Sequence, residues 1–539
     1  MTDQKDISAP GPLHHKLFRF LWIAAVASNI GTSLHNVGAA WLMTSLAPSP
    51  IMVALLSTAT SLSIFLLALP AGAFAEIFDR RKLLLVTQYF MLVVAAILAG
   101  LTITGITTPS ILLIFTFLLG MGAATSMPST LGVFLGLVQK SEARHTITLS
   151  GVAINIGLAV GPTLGGFVVA SSGSWAAFGI NAASFVGMII FLHTWKRNQQ
   201  HGVLPPEHVI AAIRTGLRYI RHSPLVHALF VRDIAFAIPS SALMALLPLL
   251  SRQTLGLDST GFGFLVGSVG LGAIIGGFLI LPKLPKSWSI ERRFACAIFL
   301  FAFTMIVLSY QRDFVLLCLA MVGSGIAQIT IMSSLNFSSY KSSPKWVGTR
   351  VLSVHVLTLQ GSMAVGSVLW GSVGEIVGIP TTFLFAAIGL IVGLVTMIRF
   401  PLPASKEIDM TPSMHWPVPQ IVIEPAPDDG PVLITVDYKI DPNKANEFVA
   451  AMKELQNIRL RDGAISWDLY HDPADASHYI EIGISESWVE HMRQHERVTV
   501  PDKDIEERVR AFHIGDKPQV ISHFIAKNLN QENGMKKVD

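Results

Sequence analysis

The sequence predicts an all-α membrane protein of twelve transmembrane helices in two six-helix repeats, followed by a C-terminal α+β domain of ferredoxin-like order. Three observations predict it. Of the 539 residues, 51% are hydrophobic and only 14% are charged, and mean hydropathy is +0.55, which places the chain outside the soluble class. Twelve stretches reach the roughly 20 mostly apolar residues that a bilayer core demands of a helix. Past Phe400 the long apolar runs stop, and shorter alternating and amphipathic patterns replace them.

The twelve stretches are read at 18–42, 51–74, 83–105, 110–137, 146–170, 175–195, 225–250, 261–281, 291–310, 313–340, 349–374 and 380–399, broken by Pro, Gly and charge clusters. The first is too long, and too polar in its middle, for the short apolar core of a signal peptide, so it is expected to be retained. With the N-terminus in the cytoplasm, twenty Lys and Arg residues between Lys16 and Arg399 flank one side, and only Arg252 and Arg312 flank the other. Cytoplasmic loops hold Lys and Arg, so both termini are expected inside, in a bacterial inner membrane. The lipid bilayer is therefore the expected surrounding. The formal net charge of +4 is accounted for by this topology and calls for no nucleic-acid partner.

Domain organisation follows from the same pattern. Residues 1–17 form a cytoplasmic N-terminal tail, 18–195 a first six-helix bundle, and 196–224 a cytoplasmic linker with an amphipathic stretch at 209–220. Residues 225–400 form the second bundle, 401–431 a Pro-rich acidic linker, 432–526 the folded tail domain, and 527–539 a disordered end. An internal repeat supports the two halves: Leu158–Gly166 and Met363–Gly371, in the fifth helix of each, share Ala-Val-Gly and a terminal Gly. In the tail, Val432–Ile440 alternates as a strand, and Asp441 and Pro442 open a helix that Gly463 stops. Strands at Ile465–His471 and His478–Ile484, helices at Glu486–Arg497 and Pro501–Phe512, and a strand at Gln519–Ile525 complete the order βαββαβ.

Ionisable groups inside a membrane span are costly and so become functional candidates. Arg232 and Asp233 lie in the seventh span, Asp233 on a stripe with Ser240, Ser241 and Met244. Asp233 is the candidate for loading and releasing a proton; the alternative is that Arg232 snorkels to the interface with Asp233 as its fixed partner. His35 and His355 titrate near neutral pH in model compounds and are weighed against plain packing roles. Asn29, Ser33 and Asn36 in the first span, and Ser324, Gln328 and Asn336 in the tenth, recur at helical spacing. They suit either a cavity wall or hydrogen bonds between helices. Such a cavity, largely apolar and poor in fixed charge, suits an amphipathic small-molecule substrate. Cys296 and Cys318 both fall in apolar segments, which excludes a disulfide framework and a zinc ligand set; no metal and no cofactor is expected. The absence of a P-loop fingerprint argues against direct use of ATP.

Two motifs carry a family resemblance. Gly72, Glu76, Asp79, Arg80, Arg81 and Lys82, between the second and third spans, resemble the gating-loop signature of the major facilitator superfamily, although Ile77 and Asp79 depart from it. Gly157, Gly161, Pro162, Gly165 and Gly166 in the fifth span resemble that superfamily's exporter and antiporter motif. Together with Gly38–Met43, Ala68–Gly72, Gly216–Tyr219, Trp370–Gly371, Arg461–Ala464, Glu486–Trp488 and His491–Arg497, they make the chain similar to the transmembrane secretion effectors akin to enterobactin exporters, from Phe18 to Ile525. The resemblance implies the major facilitator fold and proton-coupled export of a drug, siderophore or secondary metabolite by alternating access. Import and substrate modification by the tail remain the alternatives.

The tail resembles the dimeric α+β barrels of small cofactor-free monooxygenases. That implies pairing of two copies through this domain, in a dimerising or regulatory role, and a pocket drawn from Trp467, Tyr470, Trp488 and His495. His491 and His495 sit one helical turn apart, a spacing read as a solvated helix face rather than as a metal site.

Overall fold

In the computed structural model, residues 11–77, 79–195, 218–285, 287–341, 343–344, 346–401, 409–416, 421–422 and 425–527 are described; the side chains of Leu69, residues 72–77, Lys140 and Thr349 are not among them. Among the described residues, twelve helical spans are long and apolar enough to cross a membrane. They are α1 (Lys16–Leu46), α2 (Pro50–Ile77), α3 (Arg80–Ile103), α4 (Pro109–Gly136), α5 (Ala143–Ser172), α6 (Ser174–Thr194), α7 (Pro224–Leu249), α8 (Ser259–Ile275), α9 (Ile290–Tyr310), α10 (Phe314–Lys341), α11 (Gly348–Val377) and α12 (Ile379–Gly393). The expected amphipathic stretch at 209–220 lies, apart from its last three residues, outside the described ones.

Helix starts follow local chemistry. The Asp79 carboxylate caps α3 by accepting from the Arg81 and Lys82 amides. Thr108, Asp258 and Ser289 cap α4, α8 and α9 in the same way, each satisfying an amide that the helix itself leaves free. The turns between α5 and α6 and between α11 and α12 each need a residue with positive φ, and Gly173 (φ 90°) and Gly378 (φ 81°) supply it.

Close helix approach depends on glycine. A methyl group built on Gly161 of α5 would collide with Ser33 Cβ of α1, and one on Gly366 of α11 would collide with Ser241 Oγ of α7. Gly161 and Gly366 hold the same place in the internal repeat, so the repeated sequence encodes a repeated contact. The ends of the repeat, Gly166 and Gly371, serve the other contact: Gly166 meets α8 at Ser259 and Gly263, and Gly371 meets α2 at Ile51 and Ala54. Gly263, Gly267 and Gly270 of α8 return the approach onto α5, with a Cβ on Gly270 overlapping the Leu158 carbonyl. Without a hydrophobic force between helices in lipid, such small-residue seams supply the packing that holds the bundle.

The described residues divide into two units, one drawing on 1–204, 229–337 and 353–404, the other on 205–228, 338–352 and 405–539. In the second unit the tail domain comprises β1 (Val432–Lys439), α13 (Ala445–Asp462), β2 (Ser466–His471), β3 (His478–Ser485), α14 (Trp488–Arg497), α15 (Val500–Arg510) and β4 (Ile521–Ile525). Its antiparallel sheet runs β2-β3-β1-β4, the ferredoxin-like order. Phe448, Met452, Leu455 and Ile458 of α13 pack on the sheet residues Val436, Tyr438 and Trp467, at the i, i+4, i+7 spacing of an amphipathic helix.

Overpacking a seam should be costly. Gly270→Leu is expected to lower the thermal unfolding midpoint of detergent-solubilised protein by the equivalent of about 1–3 kcal/mol or more. Gly100→Leu, at a position with open space around it, is expected to leave the midpoint unchanged; equal effects at the two positions would contradict the packing role.

Candidate functional site

A cavity of about 490 Å³ lies between the two six-helix halves, walled by α1, α2, α4, α5, α7, α8, α10 and α11. Its polar groups are Ser33 and Asn36 of α1, Ser57, Thr60 and Ser61 of α2, Thr116 of α4, Asn155 of α5 and Gln328 of α10. Met244, Met332, Met363 and Phe262 supply its apolar wall. Hydroxyls and amides placed singly among flexible thioethers suit amphipathic solutes of varied shape. The wall carries no charged side chain among the described residues.

Past the cavity residues Ala40 and Pro248, polar contacts join the two halves. Arg252, just past α7, donates to Thr44 Oγ1 (3.0 Å) and to Ser45 at the end of α1, and its guanidinium lies over Trp41. Gln253 donates to the Pro48 carbonyl at 3.1 Å, and Ser49 Oγ donates to Glu375 of α11 at 2.6 Å.

The ionisable groups of α7 separate onto two partners. Asp233 Oδ2 lies 2.6 Å from His355 Nδ1 of α11, with both side chains buried. Arg232 turns away from Asp233: its Nη2 donates to Glu291 Oε1 of α9 (2.7 Å) and to the Phe400 carbonyl (3.0 Å), and its guanidinium sits 5.3 Å from the Phe294 ring centre. Arg232 is itself fully buried, its guanidinium reaching groups at the ends of spans, the first turn of α9 and the close of the last span, and Glu291, not Asp233, balances it. His35 stands apart, packed on Phe178 at 4.6 Å between ring centres, with neither nitrogen hydrogen-bonded among the described residues.

The remaining candidates sort by geometry. Ser33, Asn36, Met244 and Gln328 line the cavity. Ser240, Ser241 and Ser324 instead donate to the carbonyls of Ala237, Ile238 and Met321 on their own helices. Asn29 packs against Gly157, and Asn336 is exposed. Pro162 reaches the cavity, while Gly157, Gly161 and Gly165 face α1. At the start of α3, Arg81 donates to the Leu192 and His193 carbonyls at the end of α6, and Arg80 lies against Gly132 of α4. The side chains of Gly72 and Glu76 are outside the described residues, and Lys82 is exposed. Arg252, Glu375 and Glu291 were not singled out by sequence pattern, although each is a charge at or inside a span boundary, which is the signal that found Asp233.

A second cavity, of about 510 Å³, lies within the tail domain. Trp467 and His495 line it as expected; Tyr470 is 54% exposed and does not, and Trp488 stands behind it, against His491. His491 and His495 are not a solvated helix face: both line this cavity, and His491 is only 2% exposed. The amphipathic α14 turns its histidine stripe toward the sheet.

Twelve spans in two six-helix halves, joined by glycine seams around a central cavity, define a secondary transporter of the major facilitator superfamily. Solved structures agree on the fold: the nucleoside transporter NupG covers 72% of this chain and all of its own, at TM-score 0.56 and 14% identity. A bacterial homolog of the human lysosomal transporter Spinster covers 72% of this chain and 95% of its own, at TM-score 0.55 and 14% identity. The chain belongs to the transmembrane secretion effector family, whose model matches residues 7–531. Among similar proteins are the staphyloferrin A transporter of Staphylococcus aureus, 22% identical over 72% of this chain and 96% of its own, and the multidrug efflux pump Tap of Mycolicibacterium fortuitum, 22% identical over 74% and 98%. The enterobactin exporter EntS of Shigella boydii is 25% identical over 51% of this chain and 65% of its own.

Breaking the Arg232–Glu291 pair should expose its structural weight. Glu291→Gln leaves a buried guanidinium without its counter-charge and is expected to cost about 3 kcal/mol of stability. Combining it with Arg232→Met is expected to recover most of that loss, read as the thermal midpoint in detergent; a double variant no more stable than the single one would refute the pairing.

Proposed function

We propose that this chain is a proton-coupled exporter of an amphipathic small molecule, of the drug, siderophore or secondary-metabolite kind, working by alternating access from the bacterial inner membrane with both termini in the cytoplasm. The observation that carries the coupling is the buried hydrogen bond between Asp233 and His355. In a low-dielectric interior, adding or removing one proton at such a pair changes the interaction between α7 and α11 by far more than it would in water. Both helices also reach the central cavity, through Met244, Leu247 and Pro248 on one and Met363 on the other. A proton arriving at Asp233 weakens its hold on His355, frees α7 to shift against α11, and so links protonation to the shape of the solute site.

The basic residues clustered on one side of the spans support the orientation. In that orientation the end joined by Arg252, Thr44, Ser49 and Glu375 is periplasmic, and the loop from Gly72 to Lys82 is cytoplasmic. The names of the similar carriers support export, and the apolar cavity with scattered hydroxyl and amide groups supports an amphipathic solute. Pairing of two copies through the tail is favoured by the outer sheet face, where Leu433, Ile480, Ile482, Ile484 and Phe524 share one side of the strands.

Flux in everted vesicles with an imposed proton gradient tests the reading, with ethidium as a probe solute. Asp233→Asn is expected to reduce gradient-driven uptake by about a hundredfold while leaving expression and thermal midpoint near wild type, and His355→Ala to reduce it at least about tenfold. Undiminished uptake in Asp233→Asn would remove this pair from the mechanism.

A further inference from the structure

The tail cavity is built as a ligand site, and its wall is also the surface that holds two segments of the chain. The floor comes from the sheet: Ile434 and Val436 of β1, Trp467 of β2, and Gly483 of β3. A Cβ on Gly483 would meet only the Trp467 ring, at 4.0 Å; the missing side chain is the space of the cavity. Over this floor stand His491, His495 and His523. The His491 ring is 5.0 Å from that of His495 and 4.8 Å from that of His523, in tilted or edge-on contact. Among the described residues no group has the arrangement of a metal site.

The charged groups of the wall are already balanced. Glu481 accepts from Arg459 Nε (3.0 Å), Trp467 Nε1 (2.8 Å) and Tyr438 (2.9 Å), and Arg459 also pairs with Glu506. The histidines are held neutral: burial first, then His523, His495 and Arg459, push His491 down to about 3, and burial with His523 and Arg459 pushes His495 down to about 4. His491 is therefore a neutral imidazole with one N–H and one lone pair, both buried and neither hydrogen-bonded among the described residues. An unmet buried donor and acceptor are costly. A planar, uncharged occupant with a hydrogen-bonding edge meets one of the two while its faces lie against Trp467, Ile434 and Val436.

The edge of this cavity is the segment Arg459–Ala464. Arg459 and Ala464 line it. Between them, the Gly463 carbonyl accepts from Arg218 Nη1 at 2.7 Å, and the Arg461 guanidinium lies 5.6 Å from the Tyr219 ring centre. Gln494, also a wall residue, sits one turn before Arg497, whose guanidinium stacks 4.6 Å over Trp346 and donates to the Asp462 carbonyl. Tyr219 and Trp346 meet edge to face at 5.6 Å. Along the chain, Tyr219 is five residues before α7, and Trp346 two residues before α11. These are the helices that carry Asp233 and His355.

We propose that the tail domain is a small-molecule sensor: an uncharged planar molecule with a hydrogen-bonding edge binds against His491 and Gly483, and the Arg459–Ala464 segment relays its presence through Arg218, Tyr219 and Trp346 to the starts of α7 and α11. The binding half stands on the cavity alone; the regulatory half rests on the proposed coupling role of Asp233 and His355.

Full-length protein in lipid nanodiscs, without any gradient, separates the two. The probe is 7-hydroxycoumarin in its uncharged form, with empty nanodiscs as the reference for partitioning. Saturable binding is expected, weakened about tenfold or more by His491→Phe and by Gly483→Leu, which fills the space without touching the relay. Binding that is absent, or unaffected by both variants, overturns the site. Hydrogen exchange across 218–227 and 346–355 is expected to slow at least about twofold on binding in the wild type. In Arg218→Ala the probe is expected to bind with that response lost; a response equal to wild type overturns the relay. Should proton-driven flux prove absent altogether, the binding and exchange results still stand or fall by themselves.

Discussion

Membrane helices cannot be driven together by the exclusion of water, and in this protein the substitute is glycine placed where backbones must nearly touch. Gly161 and Gly165 let α5 lie on α1, Gly263, Gly267 and Gly270 let α8 lie on α5, and Gly366 and Gly371 repeat the device for α11 against α7 and α2. The cavity is what these seams leave between them. So is the placement of α7 beside α11, without which Asp233 and His355 would not meet. Because a seam of small residues has little side-chain interdigitation to undo, the two halves can pivot along it without repacking a core.

Around that frame the buried charges have divided roles. Arg232 is fixed by a carboxylate, a carbonyl and an aromatic ring at once, a set of contacts that anchors α7 to α9 and to the end of the last span. Among the described residues its neighbour Asp233 has one partner, His355, and both Asp233 Oδ1 and Arg232 Nη1 are without a hydrogen bond. Three contacts hold Arg232 and one holds Asp233, which fits the proposed division between a structural cation and a proton-binding carboxylate. Beyond the cavity, Arg252 and Glu375 are exposed and bridge the halves, Arg252 through Thr44, Ser45 and Trp41 and Glu375 through Ser49, and exposed polar contacts of this kind break at modest cost.

The parts of this architecture readable from sequence are those with a local signature. Twelve apolar spans, the cap residue Asp441, the strand and helix order of the tail, and the repeat at Gly161 and Gly366 all announce themselves within a few neighbouring residues. Partner choice does not. That Asp233 faces His355 while Arg232 faces Glu291 depends on a rotation of about 100° between consecutive helical positions and on which helices happen to adjoin. The serines of α7 read as a cavity stripe, yet a serine in a membrane helix can satisfy itself on its own preceding carbonyl, and Ser240 and Ser241 do. The histidines of α14 read as solvated because helix α14 is polar overall; only the sheet on which it lies, with a glycine in β3, shows that their side is the inner one.

The central claim is that the protonation state of the Asp233–His355 pair sets which end of the glycine seams is closed. Spin labels at Ile106 and Tyr310, both exposed and at the end where Arg252 joins the halves, in a background lacking Cys296 and Cys318, report that directly by pulsed dipolar spectroscopy. The account predicts that acidification, or Asp233→Asn at neutral pH, transfers population from the short separation to a distinct longer one. A distance distribution indifferent to both would contradict it.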